Sequence, residues 1–260
     1  MPSAAWYRHA RFSPSAHLAD WIEHFWLESW RVPANVTERR ELLPRPCVQF
    51  AFSPKQARIY GVQQGRFIRT YKGEGRVFGI TFRAGAFYPF FHKSVSSLSN
   101  SSIDAGEVFA CAAESQVKIL QSRGAAGMVA AASQFLTACL PPADPNVTDT
   151  VAMVDLIATD RKVTRVNHVV SHFGTSERSL QRLFQRYVGA SPRWVIKRYR
   201  TYEALDQLNS PQPQGIATVA QELGYFDQAH FTNDFKNRVG RAPADYTEAN
   251  AGHSPMADIK

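Results

Sequence analysis

Arg178, Gln181, Arg182 and Gln185 stand at i, i+3, i+4 and i+7 along the stretch SERSLQRLFQRYVGASP. That spacing puts all four on one face of a helix. Arginine can hold guanine O6 and N7 with two hydrogen bonds, and glutamine can hold adenine N6 and N7 in the same way. Such a stripe suits the edges of base pairs better than it suits bond breaking. A second set follows 51 positions later, where Ala229, Thr232, Asn233 and Lys236 answer the four residues in turn, with Gln228 just ahead of them.

A fixed apolar frame accompanies the two stripes. Leu180, Phe184, Val188, Gly189 and Pro192 recur as Phe231, Phe235, Val239, Gly240 and Pro243 at the same offset. Upstream, Val166, Val169, Val170, Phe173 and Gly174 recur as Ile216, Val219, Ala220, Leu223 and Gly224, one position closer. Each copy therefore reads as a short helix, a glycine-containing turn and a second helix, which is the helix-turn-helix arrangement. Ser176 and Asp227 are suited to cap the second helices, and Gly174, Gly189 and Gly240 to stop helices. Pro192 opens a connecting helix that the spacing carries to Leu208, before the loop NSPQPQG. A further helix over 150–160 completes a seven-helix unit. Duplicated hairpins also build solenoids, but these need about three repeats and predict no particular residues on the open face.

The net charge of +8 invites a nucleic-acid partner but has to be located first. Residues 1–140 hold 16 Lys and Arg against 9 Asp and Glu, whereas residues 141–246 hold 13 against 11. Most of the excess thus lies outside the repeated region. Within it, residues 176–200 concentrate Arg178, Arg182, Arg186, Arg193, Lys197, Arg198 and Arg200 against Glu177 alone. Cys47, Cys111 and Cys139 are odd in number and well separated, with no CxxC, which argues against a disulfide framework or a cysteine-rich zinc site. With no basic-then-apolar leader and no run of eighteen apolar residues, the chain reads as a cytoplasmic protein with no membrane partner.

The segment LPPADPNVTD reads as a linker over 141–149, separating residues 1–140 from an all-α domain over 150–247, with a flexible tail over 248–260. The first part is expected to be α+β: short strands within 40–91, arranged in a barrel-like way, and two helices between Val108 and Leu140 broken around Gly124–Gly127. Leu18, Trp21, Ile22, Phe25 and Trp26 fit one face of a helix. Trp21, Trp26, Arg45, Tyr60 and Arg83 are the candidate lining of a small-molecule site, since aromatic rings with a few positive groups suit an acidic or aromatic ligand. The alternative places the tryptophans in the core and pairs the arginines. No metal or other cofactor is expected: His9, His17, His24 and His92 lack HxH or HExxH spacing, and His168 with His172 lacks a third ligand.

The stretch from Thr150 to Tyr246 resembles the DNA-binding domain of AraC/XylS-type transcription regulators. The motifs that carry the likeness are SERSLQRLF, GASPRWVIKRYR and IATVAQELGYFDQAHFTNDFKNRVGRAPADY. ERRELLPRPCVQFAF and VFGITFRAGAFYPFF resemble an uncharacterised domain that often precedes such readers. The resemblance implies two helix-turn-helix units on a long helix, reading successive major grooves of promoter DNA. It also implies RNA polymerase as a partner, and an N-terminal part that binds a small effector, forms a homodimer, or both. Three positions depart from the pattern: Asn233 where arginine is usual, Thr201 where leucine is usual, and Ala84 where proline is usual. Two other readings remain: a helical protein–protein adaptor, and a fusion of such helices to an alkyl-accepting DNA-repair domain. The repair chemistry needs clustered thiolates around zinc.

Overall fold

The computed structural model describes residues 6–210 and 214–250. Alternation of side chains along strands builds its N-terminal half. The elements run in order β1 (Tyr7–Phe12), β2 (Ile22–Arg31), β3 (Glu38–Leu42), β4 (Gln49–Phe52), β5 (Ala57–Tyr60), β6 (Phe67–Tyr71) and β7 (Glu74–Phe82). A short helix α1 (Tyr88–Phe91), strand β8 (Ser102–Asp104) and helices α2 (Ala112–Gln121) and α3 (Gly124–Ala138) follow. Six strands form an antiparallel sheet in the order β1-β2-β7-β4-β5-β8, while β3 and β6 pair as a separate ribbon.

One face of the sheet carries Phe25, Phe50, Phe52, Phe78, Ile80 and Phe82, all buried in one core with Ile119, Met128 and Phe135 of α2 and α3. Intervening residues point the other way: His24, Trp26 and Glu28 on β2, Gln49 and Ala51 on β4, Val77 and Thr81 on β7. A period of two supplies both faces from the same strands.

The expected helix over Leu18–Trp26 does not form. Leu18 ends a short 3₁₀ turn over Ala16–Leu18, and Ile22 begins a ten-residue strand between β1 and β7. The apolar spacing there satisfies either period, and pairing on both sides settles it. Trp26 sits opposite Gly79 of β7, where an added Cβ would lie 2.0 Å from the indole. The missing side chain of Gly79 leaves the space that Trp26 occupies on the sheet.

The C-terminal half contains α4 (Pro145–Thr159), α5 (Val166–Phe173), α6 (Glu177–Leu183), α7 (Pro192–Leu208), α8 (Ile216–Glu222), α9 (Gln228–Val239) and α10 (Pro243–Asn250). A π-helical turn over Phe184–Val188 continues α6. The proline-rich connector is shorter than its composition suggests, because the Asp144 side chain accepts from the Asn146 amide and Pro145 opens α4. Of the expected tail, 251–260 lies outside the described residues, as do 211–213 of the loop before α8.

Two separate cores support the two repeats. Leu180, Phe184, Val188 and Val195 pack with Val154, Ile157 and Val169 around α5 and α6. Phe231, Phe235, Val219, Leu223 and Tyr246 pack with Leu205 and Leu208 around α8 and α9. Helix α7 contributes to both. Val62 of the N-terminal half joins the first core and Leu43 packs on the second, so the sheet domain rests on both units. Further ties are polar. Arg198 donates to the Gln64 carbonyl (2.9 Å), Tyr202 to the Leu43 carbonyl (3.1 Å), and Gln64 to the Gly189 carbonyl (3.3 Å). Gly189 has φ of 88° and lies so close to Val95 that a Cβ would come within 2.9 Å of it.

Candidate nucleic-acid interface

Helices α6 and α9 begin on matching caps. The Ser176 hydroxyl accepts from the Ser179 amide at 3.1 Å, and the Asp227 carboxylate from the His230 amide at 2.7 Å. Buried Leu180 and Phe184 orient α6, as buried Phe231 and Phe235 orient α9. Arg178, Gln181, Arg182 and Gln185 consequently face outward, as do Gln228, Ala229, Asn233 and Lys236, with Thr232 half-buried. Arg178 and Arg182 enter no ion pair among the described residues, so both guanidinium groups are available to an anionic partner.

The basic cluster over 176–200 divides on folding. Arg178, Arg182 and Arg193 stay on the open surface. Arg186 instead lies 4.4 Å from the centre of the Tyr88 ring in the N-terminal half. Arg198 is buried over Trp194, 4.6 Å from its centre, and Arg200 is buried against Glu203 (2.7 Å) and the Ile157 carbonyl (2.6 Å). These last two set the pose of α7 and do not face a ligand.

Asp234 anchors α9 to the connector. It accepts from Tyr225 at 2.7 Å and pairs with Arg238 (3.2 Å) and Lys197 (3.5 Å). Burial pushes its carboxyl up, but the Tyr225 and Arg238 hydrogen bonds outweigh this and hold it below the usual carboxylate range. The ion pair therefore persists at neutral pH. One surface residue was not legible from the stripe. Phe226, 94% exposed just before the Asp227 cap, is an apolar side chain with no core to fill. Its position beside the cap was the available signal.

The five candidate ligand residues separate. Trp26, Arg45 and Tyr60 line one cavity of about 320 Å³ between the sheet and the β3–β6 ribbon. Arg83 lies elsewhere, paired with Asp155 of α4, and Trp21 packs edge-on against Phe90 (5.4 Å) instead of lining that space. Arg83 follows β7 and reaches Asp155 of α4, while Trp21 precedes β2 and packs on the aromatic core. His9, Arg11, His24 and Arg69 join the cavity unannounced, since strand alternation delivers them there. Burial, then the charges of Arg11, Arg45 and His9, lower the His24 pKa to about 3. Its folded pKa is thus below the value of 6.5 in the unfolded chain, which binds the proton that the native state refuses. Stability should fall as pH drops from 6.5 towards 3, and His24→Gln should lose less between pH 7 and pH 4.5 than the parent chain. Denaturant unfolding at the two pH values measures this.

Cys111 and Cys139, distant in sequence, place their sulfurs 4.0 Å apart, both as free thiols. The expectation that the cysteines lie far apart holds only along the chain. Among the described residues, no three His, Cys, Asp or Glu side chains gather to hold a metal ion, and no helix is long and apolar enough to cross a membrane.

Residues 169–249 match the family described as helix-turn-helix domain, and residues 10–104 match a domain of unknown function, DUF6597. The chain is 39% identical over 69 residues to the uncharacterized HTH-type transcriptional regulator YidL of Escherichia coli K12. It is 34% identical over 68 residues to an uncharacterized HTH-type transcriptional regulator of Haemophilus influenzae. Each match covers 26% of this chain, and the chain spans only 23% and 22% of the lengths of these relatives. Among solved structures, an AraC-type transcriptional regulator from Chromobacterium violaceum is 22% identical, covering 42% of this chain and 96% of its own, with a TM-score of 0.36. ToxT from Vibrio cholerae is 12% identical, covering 95% of this chain and 100% of its own, with a TM-score of 0.40. The C-terminal region of this chain therefore matches a helix-turn-helix domain over residues 169–249, set behind a match to a domain of unknown function over residues 10–104.

Proposed function

We propose that the chain is a sequence-specific DNA-binding transcription regulator that reads two successive major-groove segments with α6 and α9. The observation that carries this is the pair of outward polar stripes, held at the two ends of one packed helix. Helix α7 has 17 residues, so it spans about 25 Å at 1.5 Å per residue. The widths of the two units supply the rest of the ~34 Å between adjacent major-groove faces. Arg178, Gln181, Arg182 and Gln185 are the main base readers, with Gln228, Ala229, Thr232 and Asn233 adjusting the second site. Phe226 adds an apolar contact suited to a thymine methyl. On this reading the N-terminal half binds a small effector or pairs two copies, RNA polymerase is the downstream partner, and the cytoplasm is the place of action.

The competing readings ask for different chemistry. An alkyl acceptor needs an activated thiolate, whereas burial and then Glu23 push the Cys47 thiol up to about 12. A protein–protein adaptor would show no salt-dependent binding to duplex DNA.

Selection from a random duplex library with the full chain should return a site with two conserved blocks about one helical turn apart. Failure to retain any duplex at low salt would overturn the proposal. Lys236→Ala should weaken binding evenly across sequences and reduce the slope of log K against log salt by about 1, as for a phosphate contact. Loss confined to one base pair would instead make Lys236 a base reader.

A further inference from the structure

The fold treats the three thiols differently. Cys47 is buried, and burial and then Glu23 keep it protonated. Cys111 and Cys139 lie half-buried at the margin of the sheet domain's core, and their sulfurs meet at 4.0 Å although 28 positions separate them. Two sulfurs alone do not make a zinc site, which takes four ligands, and among the described residues no third His, Cys, Asp or Glu joins them. What a close pair of accessible thiols can do is exchange two electrons.

A helical hairpin makes the meeting. Ala112 and Ile119 of α2 share a core with Ala131, Ala132, Phe135 and Leu136 of α3, and the small alanines let the two helices lie close. Only Ser122 and Arg123 separate the helices, so the chain reverses and the start of α2 comes beside the end of α3. Cys111 is the N-cap of the first and Cys139 the C-cap of the second. Each backbone is fixed by its own helix: the Cys111 carbonyl accepts from the Ser115 amide, and the Cys139 amide donates to the Leu136 carbonyl, both at 3.0 Å. A disulfide bond measures about 2.0 Å, so closure asks the sulfurs to approach by roughly 2 Å, within reach of side-chain rotation. Burial, then the neighbouring Cys111, push the Cys139 thiol up to about 11, so no stabilised thiolate holds this sulfur in the reduced state.

We propose that Cys111 and Cys139 form a reversible thiol–disulfide site, closed by a hydroperoxide and reopened by a dithiol reductant. One sulfur attacks the terminal peroxide oxygen, the O–O bond breaks, and the thiol proton leaves with the other oxygen as an alcohol, or as water when the oxidant is hydrogen peroxide. That sulfur is now a sulfenic acid. The second sulfur attacks it, the S–O bond breaks, and hydroxide leaves as water with the second thiol proton. Two electrons have passed from the pair to the peroxide, and one S–S bond has formed. A dithiol reverses the step by two thiol–disulfide exchanges and ends as the disulfide itself. The closed site ties the start of α2 to the end of α3, just before Pro145 opens α4, and removes the freedom of the whole hairpin from the unfolded chain. Neither sulfur lies on α6 or α9, so the site stands or falls independently of the DNA-binding reading.

Thiol alkylation and intact mass of the full chain test the assignment. The reduced chain, denatured and alkylated, should take up three groups, one for each cysteine. After treatment with a few equivalents of hydrogen peroxide it should take up one, at Cys47, and the mass before alkylation should fall by two hydrogens with no gain of oxygen. Digestion should recover the peptides bearing Cys111 and Cys139 as one linked species that dithiothreitol separates. On oxidation the melting temperature should rise by about 5 °C or more and return on reduction. Amide exchange should slow at the start of α2 and the end of α3.

Cys111→Ser should abolish both the mass change and the melting shift, whereas Cys47→Ala should keep both. Where Cys47→Ala fails to fold, the linked peptides of the parent chain decide which sulfurs are joined. Three alkylated cysteines after peroxide would overturn the proposal. So would a bridge to Cys47, a bridge formed only between two chains, or a gain of oxygen at either sulfur in place of a bridge. A melting shift that persists in Cys111→Ser would place the effect at another residue, and a bridge that leaves the melting temperature unchanged would overturn its action as a tie.

Discussion

Arg182→Ala lowers the affinity of the full chain for its selected duplex by about 1–3 kcal/mol, roughly five- to 150-fold, and relaxes the preference at one base pair. The expectation follows from where Arg182 stands. It projects outward from α6, one turn beyond Arg178, while Leu180 and Phe184 on the opposite face are fully buried and prevent the helix from rolling. Since Arg182 enters no ion pair among the described residues, its removal leaves no buried partner unsatisfied and should not cost stability. The corresponding change at Asn233 should cost less, because one amide replaces a charged fork on the second helix. Fluorescence anisotropy at fixed salt, against the selected duplex and single-base variants, measures both. Equal affinity and unchanged preference for the Arg182 variant would remove it from the base-reading set.

Truncating the two matched phenylalanines should have the largest effects on stability. Phe184→Ala and Phe235→Ala each delete a buried ring, with an expected cost of about 3–5 kcal/mol. Their consequences should differ, because the two rings belong to separate cores. Phe235 packs with Phe231 (5.6 Å between ring centres) and Tyr246 (5.8 Å) around the second unit. Its loss should erase protection of one block of the site and leave the other. Phe184 shares its core with Val62 of the sheet domain and with Val195 and Ile196 of the connector. Its loss should loosen the sheet domain from the reader as well, and abolish protection of both blocks. Thermal melting with DNA footprinting reports each outcome. If Phe235→Ala also lost the first block, the two units would have to fold as one.

The double unit was legible before folding because its signals are local. Ser176 and Asp227 cap, Gly174, Gly189 and Gly240 take left-handed φ after helices, and Pro192 opens α7, all within a few residues of the groups they serve. The expected span of the connector, Pro192–Leu208, is the span it has. The strand at Ile22–Arg31 was not legible, since its apolar residues also suit a helical stripe. The deciding information sits on β1 and β7, which flank it.

Charge shows the same division more sharply. Seven bases within 25 residues read from sequence as one electropositive run, yet Arg198 is 1% and Arg200 4% exposed, while Arg178 and Arg182 are open. Nothing in the type or spacing of these arginines distinguishes them; only the packing of the sheet domain and α4 on the connector does. The gathering of Trp26, Arg45 and Tyr60 in one cavity, and the departure of Trp21 and Arg83 from it, is settled in the same way. Residue order along the chain determined caps, stops and the matched faces of the repeated helices, because backbone hydrogen bonds and φ preferences act over a few residues. Burial of the arginines and assembly of the cavity depend on groups tens to more than a hundred positions away, whose approach is set by how the two halves pack.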